Sequence, residues 1–155
     1  MNITIKTNEL VSKAYKDLFT SKERYLVYKG SRGSGKSVGI EFSIVYTIIT
    51  QPYVNWLVVR QFQTTQKDST FAGIKWAIHE LKLDALFKFT VSPLEITYKP
   101  TGQKIYFRGL DDPLKITSIK ADTGYLCRVF YEEAYEIKRI DDFNTVEESI
   151  RGVLP

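Results

Sequence analysis

Eight consecutive residues near the start of the chain have the types and spacing needed to hold phosphate. Residues 30–37 fit the pattern G-x-x-x-x-G-K-[ST], the phosphate-binding P-loop. Its glycines let backbone N–H groups turn towards phosphate oxygens, where a Cβ would clash. In such a loop the lysine reaches the β- and γ-phosphates, and the next hydroxyl binds Mg²⁺. We therefore expect ATP with Mg²⁺ as the ligand, Lys36 on the phosphates and Ser37 on the metal. The residues expected to contact the nucleotide are Gly30, Ser31, Arg32, Gly33, Ser34, Gly35, Lys36 and Ser37.

The loop also contains an arginine, Arg32. A guanidinium at this point could reach the γ-phosphate and neutralise the charge that develops during phosphoryl transfer. The alternative is an exposed loop arginine, or one paired with an acid such as Glu133. The sequence does not choose between these two interpretations.

The P-loop pattern indicates a nucleotide site only when it lies between a strand and a helix. Residues 25–28 are apolar and strand-like, and residues 38–46 can form a helix. A helix that starts near Gly35 would point its positive end at the same anion. The surroundings of the loop therefore favour a nucleotide site over a glycine-rich turn.

Two acids follow an apolar strand later in the chain. Residues 129–131 lead directly into Glu132 and Glu133. Ligands of parallel α/β sheets bind outside the carboxyl ends of the strands, where these acids would lie. We expect Glu132 to hold Mg²⁺ or its water, and Glu133 to act on the attacking water as the catalytic carboxylate. Acids at strand ends are also common in solvated loops, so the interpretation depends on the P-loop.

The elements that position these residues alternate between strands and helices. A continuous apolar run at 55–60 predicts a strand buried on both faces, and helical spacing predicts a helix over 65–83. Strands at 94–98 and 104–108 flank a turn, which predicts a hairpin. Further elements are expected at 9–19 (helix), 89–91 and 125–131 (strands) and from Asn144 or Thr145 onwards (helix). The fold class is α/β, a P-loop NTPase with a mostly parallel central sheet flanked by helices and an added β-hairpin.

Other candidate residues have less specific interpretations. Arg60 ends the strand at 55–60, at the sheet edge expected to carry Glu132 and Glu133. It could contact phosphate or DNA there, but a structural ion pair is the slightly favoured interpretation. An aromatic from the early segment could stack on adenine, but core packing is the better interpretation for Tyr15, Phe19 and Tyr28.

Three further groups are expected to be structural. His79 has no second histidine to help it bind a metal, and Cys127 is interpreted as a buried strand residue. Asp111 and Asp112 precede a proline and predict a turn rather than half of a two-metal nuclease site.

Composition limits the class of protein. The 155 residues are 43% hydrophobic, enough for one globular domain with a core, and no stretch is long and apolar enough to span a bilayer. A single cysteine excludes an internal disulfide and fits a reducing cytosol. The net charge of +4 is compatible with a nucleic-acid partner, but the basic residues are scattered and do not demonstrate one.

The ordered set of segments resembles the tailed-phage terminase large subunits, especially those of phages and defective prophages of Gram-positive bacteria. The similarity runs from about Lys29 to Arg151. The segments that carry it are 28–37, 58–60 with 66–69, 106–113 with Lys115 and Lys120, and 129–134.

The resemblance implies an ATP-driven motor that moves double-stranded DNA into a capsid in the host cytoplasm. It implies a homo-oligomeric ring, a portal protein and a terminase small subunit as partners, and no membrane. It also implies that Lys36 and Ser37 bind phosphate and Mg²⁺, that Arg32 is the in-loop arginine and that Glu133 is the catalytic carboxylate. Residues 1–155 would be the N-terminal ATPase domain, truncated at its C-terminal end and without the nuclease domain of full-length members.

Other functions remain open at this point. The acids at 132–133 also resemble those of helicase-like ATPases. From another class, the chain could be a nucleotide-binding assembly module without turnover, or a kinase of small molecules.

Overall fold

Five strands form one sheet within residues 6–150, the part of the chain that the computed structural model describes. They are β1 (Val54–Arg60), β2 (Phe87–Val91), β3 (Leu94–Tyr98), β4 (Lys104–Gly109) and β5 (Tyr125–Tyr131), in the order β2-β3-β4-β1-β5. β1 lies between β4 and β5 and is parallel to both, whereas β3 is antiparallel to β2 and β4. The expected fold class is confirmed, including the added hairpin of β3 and β4.

Six α-helices accompany the sheet in the described range: α1 (Thr7–Leu10), α2 (Asp17–Thr20), α3 (Lys36–Thr50), α4 (Ala72–Glu80), α5 (Leu114–Thr117) and α6 (Ile140–Ser149). α3 is the helix expected after the P-loop, and it runs four residues further than the sequence suggested. None of the helices in this range is long and apolar enough to cross a membrane.

The two faces of the sheet carry separate parts of the core, because side chains alternate along each strand. On one face Val58, Ile105 and Phe107 pack with apolar residues of α3 and α4. On the other face Leu57 and Tyr106 pack with residues of α5 and α6. α3, which begins in the P-loop, therefore rests on the first of these faces.

The strand expected before the P-loop is absent from the described structure. Residues 22–30 have no regular secondary structure, and Tyr25, Leu26 and Val27 are exposed. A strand forms only where a neighbour pairs its backbone N–H and C=O groups, and none of the five strands pairs with this segment. Its apolar composition alone was not enough to predict a strand.

The helix expected over 65–83 is divided into three parts. A 3₁₀ turn at Gln63–Thr65 and a π-helical turn at Lys67–Phe71 precede α4. The π turn is closed by the Phe71 N–H, which donates to the Gln66 carbonyl over 3.0 Å. The side chain of Gln66 is fully buried and donates to the Arg108 carbonyl. This tertiary contact fixes Gln66 where a regular helix was expected.

Two other helix boundaries also differ from expectation. α6 begins at Ile140, so Asn144 and Thr145 lie inside it and neither is its N-cap. Asp141 and Asp142 occupy its first turn, where negative charge stabilises the helix dipole. The helix expected over 9–19 is broken into α1, a 3₁₀ turn at Lys13–Tyr15 and α2.

Candidate nucleotide-binding site

The P-loop has the backbone that its glycines predict. Gly33 and Gly35 adopt φ angles of 76° and 81°, which disfavour residues with a Cβ. Helix α3 starts directly after Gly35, and its first backbone bond runs from Gly39 N–H to the Gly35 carbonyl over 2.9 Å. The N–H groups of the first turn therefore face the loop, as anion binding requires.

Lys36 places its ammonium group inside the loop. Its Nζ donates to the carbonyls of Gly30 (2.9 Å) and Ser31 (3.0 Å) and to Ser34 Oγ (3.0 Å). A Cβ built on Gly33 would meet no atom within 4 Å, so the loop is open on that side. A cation, a helix N-terminus and an open glycine backbone together fit a phosphate group.

Tyr15 contacts the loop through a hydrogen bond that the sequence did not indicate. Its hydroxyl donates to the Ser34 carbonyl over 2.7 Å, and its ring packs edge-on against Tyr28 at 5.5 Å. The residue is buried, in agreement with core packing. Phe19 likewise packs edge-on against Tyr46. No signal in the sequence joins Tyr15 to the loop, because the two partners are 19 residues apart.

Arg32 and Ser37 are exposed on the loop. Within residues 6–150 no ion pair joins Arg32 to an acid, so the pairing with Glu133 that the sequence left open is not formed. Both side chains are therefore accessible to a ligand, and their roles on phosphate and Mg²⁺ stay predictions.

The acids after β5 lie beside the end of β1, because the two strands are parallel neighbours. The guanidinium of Arg60 lies 3.6 Å from Glu132 Oε2 and 3.3 Å from Glu136 Oε2. Ser69 Oγ donates to Glu132 Oε2 over 3.2 Å and accepts from Arg60 over 3.3 Å. Arg60 thus forms the structural ion pair that was the favoured interpretation.

Ser69 and Glu136 were not singled out from the sequence as members of this cluster. Ser69 reaches Glu132 from the π-helical turn, a feature that often occurs at functional sites. An irregular turn of this kind has no composition signal, so only the structure could reveal this contact.

The electrostatics of Glu132 reflect its burial. Desolvation raises the pKa of this carboxyl, while the charge of Arg60 and the hydrogen bond from Ser69 oppose the rise. Charge repulsion from Glu133 and Glu136 also raises it.

Glu133 has an unusual backbone for a residue with a side chain. Its φ of 51° and ψ of 48° lie in the left-handed region, and its carbonyl accepts from Glu136 N–H over 2.8 Å. Such conformations cost free energy and cluster at functional sites. This conformation ends the extended backbone of β5 at Glu133.

Glu41 is a buried acid on the helix that follows the P-loop. It lies five residues after Lys36 on α3 and is 7% exposed. Burial, then repulsion from Glu132, raises its pKa to about 7. Its carboxyl occupies the space next to Gly73 of α4, where a Cβ would collide with it. An acid inside the apolar run of a helix is the feature of the sequence that could have indicated a buried carboxyl here.

The residues expected to be structural make no hydrogen bond or ion pair with Glu132, Glu133 or Glu136 in the described part of the chain. His79 is exposed, with Nδ1 at 3.3 Å from Asp84. Asp111 lies in the expected turn and accepts from the Gln63 N–H over 3.1 Å. Cys127 is half-buried in β5, and burial raises the pKa of its thiol.

A P-loop that opens a helix beside a mixed sheet, whose parallel strands end in acids at their carboxyl edge, defines a P-loop NTPase fold. Residues 22–155 match the family model for the phage terminase large subunit. The chain belongs to this family.

The similarity of the chain to individual known proteins supports this assignment. The chain is 39% identical over 130 residues to the terminase large subunit of Bacillus phage SPP1, covering 83% of the chain and 31% of that protein. It is 31% identical over 121 residues to the PBSX phage terminase large subunit of Bacillus subtilis (strain 168), covering 78% and 27%. The solved structure of a large terminase from a thermophilic bacteriophage has a similar fold, with a TM-score of 0.68 and 17% identity over 90% of this chain and 36% of that one. The chain thus spans about a third of the length of these relatives.

Proposed function

We propose that this chain binds and hydrolyses ATP as the motor domain of a terminase that moves double-stranded DNA into a capsid. The observation that carries the proposal is the P-loop itself, with Lys36 Nζ held inside it at the start of α3, together with acids that follow β5 at the carboxyl edge of the sheet. A nucleotide on the loop would then have carboxylates within reach for Mg²⁺ and for water. Family membership favours this motor over a helicase-like ATPase.

Each predicted site residue has a role in this proposal. The loop from Gly30 to Ser37 would hold the phosphates of ATP, and Ser37 with Glu132 would hold Mg²⁺, which supplies charge neutralisation for phosphoryl transfer. Glu133 would accept the proton of the attacking water. Arg32 would stabilise charge on the γ-phosphate.

The larger assembly is also proposed, by extension from the family. Residues 1–155 would form one N-terminal ATPase domain. The partners would be a portal protein, a terminase small subunit and further copies of the chain in a ring, all in the host cytoplasm.

The test measures ATP binding and hydrolysis with Mg²⁺, with and without duplex DNA. Lys36→Ala removes a charged donor to phosphate, so we expect ATP affinity to fall about 10- to 100-fold. Glu133→Gln keeps the shape but not the basicity, so we expect retained ATP binding and turnover lower by about 100-fold or more.

Lys29→Ala is the control for Lys36, because it removes a lysine next to the loop but outside the motif. Unchanged ATP affinity in Lys36→Ala, or no ATP binding by the wild-type chain, would contradict the proposal. ATP binding without turnover in the wild-type chain would support the nucleotide-binding module instead.

A further inference from the structure

A groove on the sheet face opposite α3 and α4 is lined by more positive than negative side chains. It lies beside β3 and β4, has a volume of about 670 Å³ and is separate from the P-loop. Its lining contains one acid, Glu95, and four cations: Lys104, Arg108, Lys115 and Lys120. We call it the basic groove.

The strand geometry spreads these cations along the groove. Lys104 and Arg108 lie on the same face of β4 because they are an even number of residues apart. Four residues of strand separate them by roughly 13 Å. Lys115 of α5 and Lys120 after it line the same groove. The positive charge therefore extends over more length than a single phosphate group can contact.

Two of these cations, Lys115 and Lys120, are available to a ligand. Lys104 is held by Asp122 at 2.7 Å and by Glu95 at 3.8 Å, and its side chain is only 25% exposed. Lys115 pairs with Asp112 at 3.1 Å, but its side chain is 64% exposed. Exposed ion pairs are weak and exchange readily for another anion. Lys120 forms no ion pair within the described part of the chain. Arg108 is more firmly held by Glu95, at 2.7 Å.

The wall of the groove also contains a polar group without a partner. Tyr106 is 3% exposed, and its buried hydroxyl makes no hydrogen bond within residues 6–150. Buried hydroxyls are nearly always hydrogen-bonded in folded proteins. Tyr106 lines the groove between Lys104 and Arg108, but because its hydroxyl is buried, a ligand in the groove would not reach that oxygen.

We propose that the basic groove binds the phosphate backbone of duplex DNA. Phosphates repeat about every 3.4 Å of rise along one strand, so several fit within the span of the cations. No exposed aromatic side chain lines the groove, although stacking on such residues is the usual way to hold single strands. The choice of DNA rather than RNA rests on the proposed function.

The test measures binding of the full chain to a fluorescein-labelled DNA duplex by fluorescence anisotropy across a salt series. The double variant Lys115→Gln with Lys120→Gln should bind about tenfold more weakly, with a log–log salt slope less steep by about 1.8, which corresponds to two lost phosphate contacts. The matched control, Lys75→Gln with Lys82→Gln, removes the same charge from the α4 side of the sheet and should bind within about twofold of wild type.

A second variant tests the wall of the groove. Tyr106→Phe keeps the packing and removes a hydroxyl that the DNA cannot reach, so DNA affinity should stay within about twofold of wild type, with an unchanged circular dichroism spectrum. Equal weakening by the test and control double variants would overturn the groove assignment, as would equal affinity for single-stranded DNA or for an RNA duplex.

Loss of DNA binding in Lys36→Ala equal to that in the Lys115/Lys120 double variant would also overturn it, because the DNA would then occupy the P-loop. Parallel measurements of ATP binding keep the two proposals distinguishable. A chain that binds DNA through the groove but does not bind ATP contradicts the proposed function and leaves the groove assignment standing.

Discussion

Arg60 and Arg24 each hold a carboxylate at 3.3 Å, but in different surroundings. The Arg60 side chain is 20% exposed and faces Glu132 and Glu136, whereas the Arg24 side chain is 75% exposed and faces Glu147. Solvent screens the second pair, so its contribution to stability is small. In the first, the loss of Arg60 would leave carboxylates partly buried without a counter-charge.

We therefore expect Arg60→Gln to lower the free energy of unfolding by about 2 kcal/mol. Arg24→Gln, the matched control, should change it by less than about 0.5 kcal/mol. Urea denaturation of both variants measures the difference, and Arg60→Lys should recover part of the loss because it keeps the charge. Equal effects of Arg60→Gln and Arg24→Gln would show that the cluster is as solvated as the surface pair.

At the scale of elements, Glu41 determines how α3 meets α4. A carboxyl in this interface fits only because residue 73 is glycine and leaves it room. With a pKa near 7 it is mainly protonated at mildly acidic pH and ionised above neutrality. Ionisation places a buried negative charge next to Glu132, so the packing of the P-loop helix depends on pH.

The sign of the pH effect follows from proton linkage. The pKa of Glu41 is about 7 in the folded chain against an ordinary value of 4.5. Between these values the folded state binds more protons than the unfolded state, so this contribution to stability is complete below about pH 4.5 and is lost as the pH rises through about 7. This rise in the pKa of Glu41 corresponds to about 3 kcal/mol of folding free energy.

Glu41→Gln should remove the loss of folding stability that accompanies ionisation of Glu41. We expect the free energy of unfolding of the variant to gain about 3 kcal/mol relative to wild type between about pH 4.5 and pH 8, measured by urea denaturation. Glu80→Gln, which changes an exposed acid at the end of α4, should leave the wild-type pH dependence intact. A constant difference between Glu41→Gln and wild type across this range would contradict the raised pKa.

Strands and helices could be predicted from the sequence where the local residue pattern favours the same secondary structure as the tertiary contacts. β5 was predicted with its observed bounds, because an apolar β-branched and aromatic run suits a sheet strand. Residues 25–28 have similar composition but lack a strand neighbour within the described structure. The π turn before α4 escaped prediction because the buried side chain of Gln66 determines it through a contact 42 residues away.

At the scale of the whole molecule, one sheet joins the two parts of the core. Leu57 and Val58 are adjacent in β1 and both fully buried, but they point to opposite faces. Trp56 packs on the Val58 face, and Trp76 contacts Phe42 there. Tryptophan fluorescence therefore reports on one face, while far-UV circular dichroism reports on all elements.

We expect the two faces to unfold as one unit. Leu57→Ala should lower the free energy of unfolding by about 2–5 kcal/mol, and it should shift the fluorescence and dichroism transitions together even though both tryptophans lie on the other face. Val58→Ala should lower the free energy of unfolding by a smaller amount, because it removes fewer atoms, and it should also shift both transitions together. Val91→Ala, an exposed control, should change little. Separate transitions in Leu57→Ala would show that the faces unfold independently.

The sequence by itself determined the parts of the site that consist of neighbouring residues. The P-loop spacing and the acids after β5 are local patterns, and their chemistry follows from residue type and order. The partners of those residues depended on the tertiary structure. Arg60 meets Glu136 across 76 residues of sequence, Tyr15 reaches Ser34 across 19, and the carboxyl of Glu41 fills the space beside Gly73 of another helix. Such contacts arise from how helices and strands pack, and a single sequence carries no periodicity that encodes them.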